Sequence, residues 1–196
     1  IKKIYEFYDS PQIDLLVKKF YYDSYSMNQL ACNSPHFLFW VGNKNSKLQN
    51  HFWDKLSKFV EKKFIFDDIH VLDKYSNLVE NIISQLDFEN LKRYKNNLYV
   101  IDPNKKIDNI QNIRGINGTF FQKNISEINK LSKFITKKCQ TVAYFGFKKN
   151  KLINFMTNNN LLGIDRIVPI GESLDFDINW DGYETIKILS RIVAIR

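Results

Sequence analysis

Apolar side chains recur along this chain at helical spacing in some stretches and as short unbroken runs in others, and the two patterns alternate. Ile13, Leu16, Val17 and Phe20 share one helical face. Asp9-Ser10 offers a capping side chain and Pro11 a first helical residue, so the spacing predicts a helix from there to about Tyr22. A polar break from Asp23 to Ser26 follows. The segment Met27 to Cys32 then leads through Asn33-Ser34-Pro35 into the apolar run Phe37 to Val41, which has the form of a buried strand. Ser46-Lys47-Leu48-Gln49 has the form of a capping box, and Leu48, Phe52, Leu56, Phe59, Val60 and Phe64 form the stripe of a long amphipathic helix.

The alternation continues with a helix from Tyr75 to Leu86, strands at Leu98 to Ile101 and Ile116 to Gln122, and a helix from Ser126 to Lys137 built on Ile128, Leu131, Phe134 and Ile135. Thr141 to Phe147 reads as a strand. Leu152 to Met156 lies in a helix closed by the asparagine run and Gly163, and Arg166 to Ile170 is a further short strand. Asp181-Gly182 is expected to open a last helix carrying Ile186, Leu189 and Val193 on one face. Strands separated by helices predict an α/β layer sandwich with a largely parallel sheet flanked by helices. No repeat or linker interrupts the pattern, only a polar loop from Asp102 to Arg114, so the expectation is one domain spanning residues 1–196.

Composition narrows the classes. With 44% hydrophobic and 26% charged residues the chain is neither disordered nor of low complexity. The apolar run Phe37 to Val41 falls far short of the roughly 18 residues of a membrane span, and no signal-peptide pattern opens the chain, so the expectation is a soluble cytoplasmic protein with no membrane span. A start at Ile1 rather than at methionine suggests a piece of something longer. The net charge of +8 raises nucleic acid as a partner. Against that, only Arg93, Arg114, Arg166, Arg191 and Arg196 are arginine, and the lysines are scattered among asparagines such as Asn158-Asn159-Asn160. A solvated lysine surface, and no nucleic-acid site, is the better reading.

Candidate chemistry is sparse. Cys32 and Cys139 are too few for a disulfide framework or a zinc site, and His36, His51 and His70 lack the spacing that brings two imidazoles to one metal, so no metal is expected. No dinucleotide fingerprint or phosphate loop is present, and Gly171-Glu172-Ser173-Leu174-Asp175 fails as a nucleophile elbow at its fifth position. The sequons at Asn117 and Asn124 are of the kind that chance supplies in an asparagine-rich chain. Cys32 stands out. Beside a core strand and before Asn33-Ser34-Pro35, its sulfur could point into a cleft with its own backbone N–H free to bind an oxyanion. The plainer alternative is a small buried hydrophobe, the reading preferred for Cys139, which Phe134, Ile135, Val142 and Phe145 flank with apolar surface.

Three segments carry a resemblance. Gln29-Leu30-Ala31-Cys32-Asn33-Ser34-Pro35, then Gln140-Thr141-Val142-Ala143-Tyr144-Phe145-Gly146-Phe147, then the tail from Arg166-Ile167-Val168-Pro169-Ile170-Gly171-Glu172-Ser173-Leu174-Asp175-Phe176 through Trp180-Asp181-Gly182-Tyr183 to Leu189-Ser190-Arg191, together resemble the LuxC family of acyl-CoA reductases, in the aldehyde dehydrogenase superfamily. The likeness runs from about residue 20 to the end and assigns no functional residue between Phe64 and Arg114.

The resemblance implies an aldehyde-dehydrogenase-type catalytic domain whose Rossmann-type cofactor domain lies upstream and is absent here, so that NADPH is bound mainly outside this chain and the domain alone is inactive in reduction. It implies that Cys32 is the catalytic nucleophile, taking an acyl group from a fatty acyl-CoA or from a partner acyl-protein synthetase, and that NADPH then reduces the acyl-cysteine to a fatty aldehyde. Asn33, Ser34 and Pro35 would set the loop shape, and the loop around Gly171 would approach the substrate mouth. Arg166 beside Asp165, and Arg191, read as structural ion pairs or carbonyl ligands, Asp181-Gly182 as a helix cap, and Phe176, Trp180 and Tyr183 as core or interface. Two alternatives stay open: a non-catalytic interaction or oligomerisation domain of the same fold, including a homo-oligomer, and a basic nucleic-acid-binding module.

Overall fold

A computed structural model describes residues 11–84, 87–104 and 110–195. The expected cap at Asp9-Ser10, the helix end at Leu86 and the middle of the polar loop lie outside the described residues.

Helix α1 spans Pro11–Tyr25 and buries Ile13, Leu16, Val17 and Phe20, the face its periodicity announced. It runs three residues past the expected end, through Asp23 and Ser24, because both find partners: the Ser24 hydroxyl donates to the Phe20 carbonyl at 2.7 Å, and the Asp23 carboxylate is taken up by the tail of the chain. Strand β1 (Phe37–Val41) follows, then helix α2 (Ser46–Lys63). The α2 cap is Asn45, one residue before the expected Ser46, with its side-chain oxygen accepting from the Leu48 N–H at 3.1 Å. Helix α3 (Asp68–Ile83) begins earlier than its apolar pattern suggested, where the His70 ring accepts from the Asp67 N–H at 3.2 Å.

Strand β2 (Phe88–Tyr94) was not expected from the pattern, since Phe-Glu-Asn-Leu-Lys-Arg-Tyr is mostly polar. It pairs antiparallel with β3 (Leu98–Pro103) across a tight turn in which Lys95 takes a φ of 52°. Strand β4 (Thr119–Ile125) lies parallel to both β3 and β1, which gives a four-stranded sheet in the order β1-β4-β3-β2. The central strands show the period of two expected of a sheet covered on both faces. Leu98, Val100 and Phe120 face α1 and α2, where they meet Phe20, Phe52 and Trp53. Tyr99, Ile101 and Phe121 face the other way, onto Leu78 of α3. The Trp40 and Trp53 indole N–H groups both donate to the buried Gln122 side-chain oxygen at 2.8 Å, so both ring donors in this aromatic core are satisfied. On the α3 side, Lys74 is 1% exposed, donates to the Asn96 carbonyl and lies over the Phe66 and Tyr99 rings. Burial, with Arg93 nearby, lowers its pKa to about 7.

The rest of the chain forms a lighter layer. Ile128–Phe134 is a 3₁₀ helix rather than the expected α-helix from Ser126 to Lys137. Strand β5 (Thr141–Tyr144), helix α4 (Lys149–Asn158) and strand β6 (Arg166–Pro169) form a second parallel unit, with Leu152 and Phe155 packed near Ile128. Asp181-Gly182 does not open a helix. With φ of 51° and 77° these residues are the turn between the two-residue strands β7 (Asn179–Trp180) and β8 (Tyr183–Glu184). Helix α5 is only Thr185–Leu189, and Val193 lies beyond it. The architecture is thus α/β with mostly parallel sheets flanked by helices.

Candidate functional site: the Cys32 loop

The loop that carries Cys32 begins where α1 stops. Asn28 and Gln29 both adopt left-handed φ, 52° and 62°, a conformation that side chains other than glycine take at a cost unless the surroundings hold them there. For Gln29 the surroundings are plain. Its buried carboxamide donates to the Pro35 and Thr119 carbonyls, both at 2.9 Å, and accepts from the Gly118 and Thr119 N–H groups at 3.0 and 3.2 Å. Every hydrogen-bonding position of the amide is filled. One side chain therefore fixes both ends of the loop 29–35 against the start of β4. Gly118 is part of the same fit: its φ is 86°, and an added Cβ would lie 2.4 Å from the Tyr25 hydroxyl.

Within this frame Cys32 is exposed, Ser34 is buried, and the Ser34 N–H closes a turn onto the Ala31 carbonyl at 3.0 Å. Next comes His36, whose two ring nitrogens are both occupied. Nδ1 lies 2.8 Å from the Gly115 carbonyl and Nε2 3.1 Å from the Arg114 guanidinium. A carbonyl needs a donor and a guanidinium an acceptor, so the ring is neutral with its proton on Nδ1. Burial, and then the Arg114 charge, lower its pKa to about 4. His36 thus serves as a wedge between loop and sheet, not as a free base for the thiol.

A second clamp comes from the far end of the chain. The Asn33 side-chain amide donates to the Ser173 carbonyl. Ser173 is buried, and its N–H donates to Asp23 Oδ1 at 3.1 Å while the Gly171 N–H donates to Asp23 Oδ2 at 2.6 Å. Burial pushes the Asp23 carboxyl up, against the lowering effect of those two amides. Arg166 braces the same turn by donating to the carbonyls of Ser173 at 3.2 Å and Asp175 at 2.7 Å, and its guanidinium lies over the Trp180 ring at 4.3 Å. Of the two expected roles for Arg166, carbonyl ligand is the one observed. Gly171 has φ of 100° and sits against Lys19, where a Cβ would approach the lysine side chain to 2.8 Å.

Cys32, Asn33, Ser34 and Pro35 all contribute to the lining of one cavity of about 370 Å³, whose walls include Phe39, Val142 and Ile167. Gly171 is outside the lining, although its neighbour Ile170 belongs to it. Cys139 also reaches this cavity. It is half-buried rather than enclosed, and it accepts a hydrogen bond from the Gln111 amide.

No family model and no curated protein matches the chain. The Cys32 loop therefore has to be understood from its own chemistry.

Of two residues that organise the site, Gln29 lay in the segment that carries the resemblance but had no role assigned to it, and Asp23 carried no sequence signal of its own. Among the described residues no group of three or more His, Cys, Asp or Glu side chains could hold a metal. Gly42, which follows β1 on the way into α2, has a φ of 116° and open space where a Cβ would stand.

Proposed function

We propose that the chain is the thiol-bearing part of a LuxC-like fatty acyl-CoA reductase with an aldehyde-dehydrogenase-type fold, and that Cys32 is the residue it acylates. The observation that carries the reading is an exposed thiol on a doubly clamped loop at the edge of an apolar-walled cavity. In the step assigned to this chain, the Cys32 sulfur attacks the thioester carbonyl of a fatty acyl-CoA. A new carbon–sulfur bond forms, the bond to coenzyme A breaks, and the thiol proton leaves with the released coenzyme A thiol. The Cys32 backbone N–H is the natural donor to the oxyanion of the tetrahedral intermediate. Reduction of the acyl-cysteine by NADPH is assigned to the protein as a whole, with the cofactor bound by a domain outside this chain. A partner acyl-protein synthetase is the alternative acyl donor.

Incubation with palmitoyl-CoA followed by peptide mass mapping tests this. The expected product is a hydroxylamine-labile palmitoyl adduct on Cys32 that is lost in Cys32→Ala. An adduct on Cys139, or one that survives Cys32→Ala, rejects the assignment.

A second reading, an interaction or oligomerisation domain of the same fold, is favoured by one other observation. Apolar side chains of the tail are bare, with Leu189 84%, Ile192 99% and Ile195 94% exposed. Absence of any acylation, together with self-association abolished by Ile192→Ser, would favour it.

A further inference from the structure

We infer that Asp23 is a positioning residue for Cys32, acting through the turn at residues 171–173 and the side chain of Asn33. The inference extends the proposed acylation of Cys32, but its first measurement stands without it.

The chain of contacts is short. Asp23 is on the last turn of α1, 2% exposed, and its two carboxylate oxygens each take one backbone N–H, from Gly171 and from Ser173. An isolated buried carboxylate is costly, and two N–H donors together with the fixed turn around them offset that cost. With its N–H held, Ser173 presents its carbonyl to two donors, Asn33 Nδ2 and the Arg166 guanidinium. Asn33 directly follows Cys32. The Gln29 clamp secures the loop ends at Gln29 and Pro35, whereas the Asn33 bond secures its middle, beside the sulfur. Removing the Asp23 contacts leaves the loop ends in place and frees the part that carries the thiol.

The carboxylate is specific to this task. In Asp23→Asn one oxygen is replaced by an NH₂ that must point at a backbone N–H, so at least one of the two contacts becomes donor against donor. Asn33→Ala breaks the same chain at its other end, on a half-buried loop side chain.

The first measurement is hydrogen–deuterium exchange in wild type, Asp23→Asn, Asn33→Ala and the double variant. The peptide covering residues 30–36 reports the Ser34 amide, and a peptide from β3 and β4 serves as control. Each single variant should raise exchange in 30–36 several-fold with the control unmoved, and the double variant should exceed neither single by much, because both break one chain of contacts. Faster exchange in loop and control alike, or no change in the loop for both single variants, would reduce Asp23 to an anchor of α1 and overturn the inference. The second measurement is the rate of palmitoyl-CoA acylation of Cys32. Its maximum should fall by about tenfold in each single variant with half-saturation unchanged, as expected when the reacting atom is misplaced and binding is not. Wild-type protein that is not acylated at all refutes the proposed function, and the exchange result still decides the role of Asp23.

Discussion

Around the β1-β4-β3-β2 sheet, Leu98, Ile101, Phe120 and Phe121 are wholly buried, and rings from α1, α2 and β1 pack edge to face. In the C-terminal part, β5 and β6 are covered only in part, the β7–β8 hairpin is mostly exposed, and residues 186–195 bury no side chain. The first region is held by a large apolar area; the second has only the small cluster around Ile128, Leu152 and Phe155, and its turn at 171–173 is held by directed bonds from Asp23, Arg166 and Asn33. Area gives rigidity without regard to direction, whereas hydrogen bonds fix particular atoms at little bulk. The Cys32 loop lies where the two regimes meet, with its ends tied to the packed sheet and its middle tied to the lighter layer.

The sharpest test of this contrast is a large-to-small change in the packed region. Phe120→Ala should cost about 3–5 kcal/mol in urea denaturation, because it removes a ring in contact with Phe20, Tyr25 and Trp53. A loss below about 1 kcal/mol would mean that the sheet region is no better packed than the tail.

Acid probes the joint between them. The folded His36 binds its proton only near pH 4, against an ordinary value of 6.5. The unfolded chain thus takes up a proton between pH 6.5 and 4 that the folded chain refuses. Stability falls as pH is lowered through that window, by about 3 kcal/mol at 1.36 kcal/mol per pH unit. His36→Gln should flatten this part of the stability profile, and a profile of unchanged slope would remove His36 from the acid response.

Gln29→Ala should cost about 2–3 kcal/mol, since it strands the Gly118 N–H at the entry to β4 and takes a donor from the Pro35 and Thr119 carbonyls, while the Thr119 N–H keeps the Ile116 carbonyl at 3.1 Å. Measured by chemical denaturation, a smaller loss than that of a surface change would show that water replaces the amide easily and that the loop ends are not clamped. The smallest effect belongs to the tail. Ile192→Ser should shift stability by no more than about 0.5 kcal/mol in the monomer, and a large, concentration-dependent loss would reveal that this segment is covered in an assembly.

The same contrast explains what could be read from the sequence. Helices α1 and α2 and strands β1, β3 and β4 were legible because their apolar residues repeat at one period against one core. Strand β2 was not, because an edge strand with polar side chains carries no such repeat. Ile128, Leu131 and Phe134 suit a three-residue period as well as an α-helix, and the 3₁₀ helix follows the tighter one. Asp-Gly is both a helix cap and a favoured hairpin turn, and the choice between them depended on Trp180 pairing with Tyr183. At the site, Cys32 stood out through its residue type and neighbours. Asn33 and Gly171 were named as loop residues, but their partners were not legible, because Asn33 and Ser173, or Asp23 and Gly171, are brought together by folding alone.

That separation also bears on how the chain is made. Gln29 meets Thr119 across 90 positions, and Asn33 meets Ser173 across 140. Contacts of such span are the late, slow ones in folding. A ribosome releases Cys32 long before it has polymerised either partner, so the nascent thiol emerges as an ordinary cysteine on a shapeless segment. Its geometry is conferred only once the turn after β6 has been made and closes over α1.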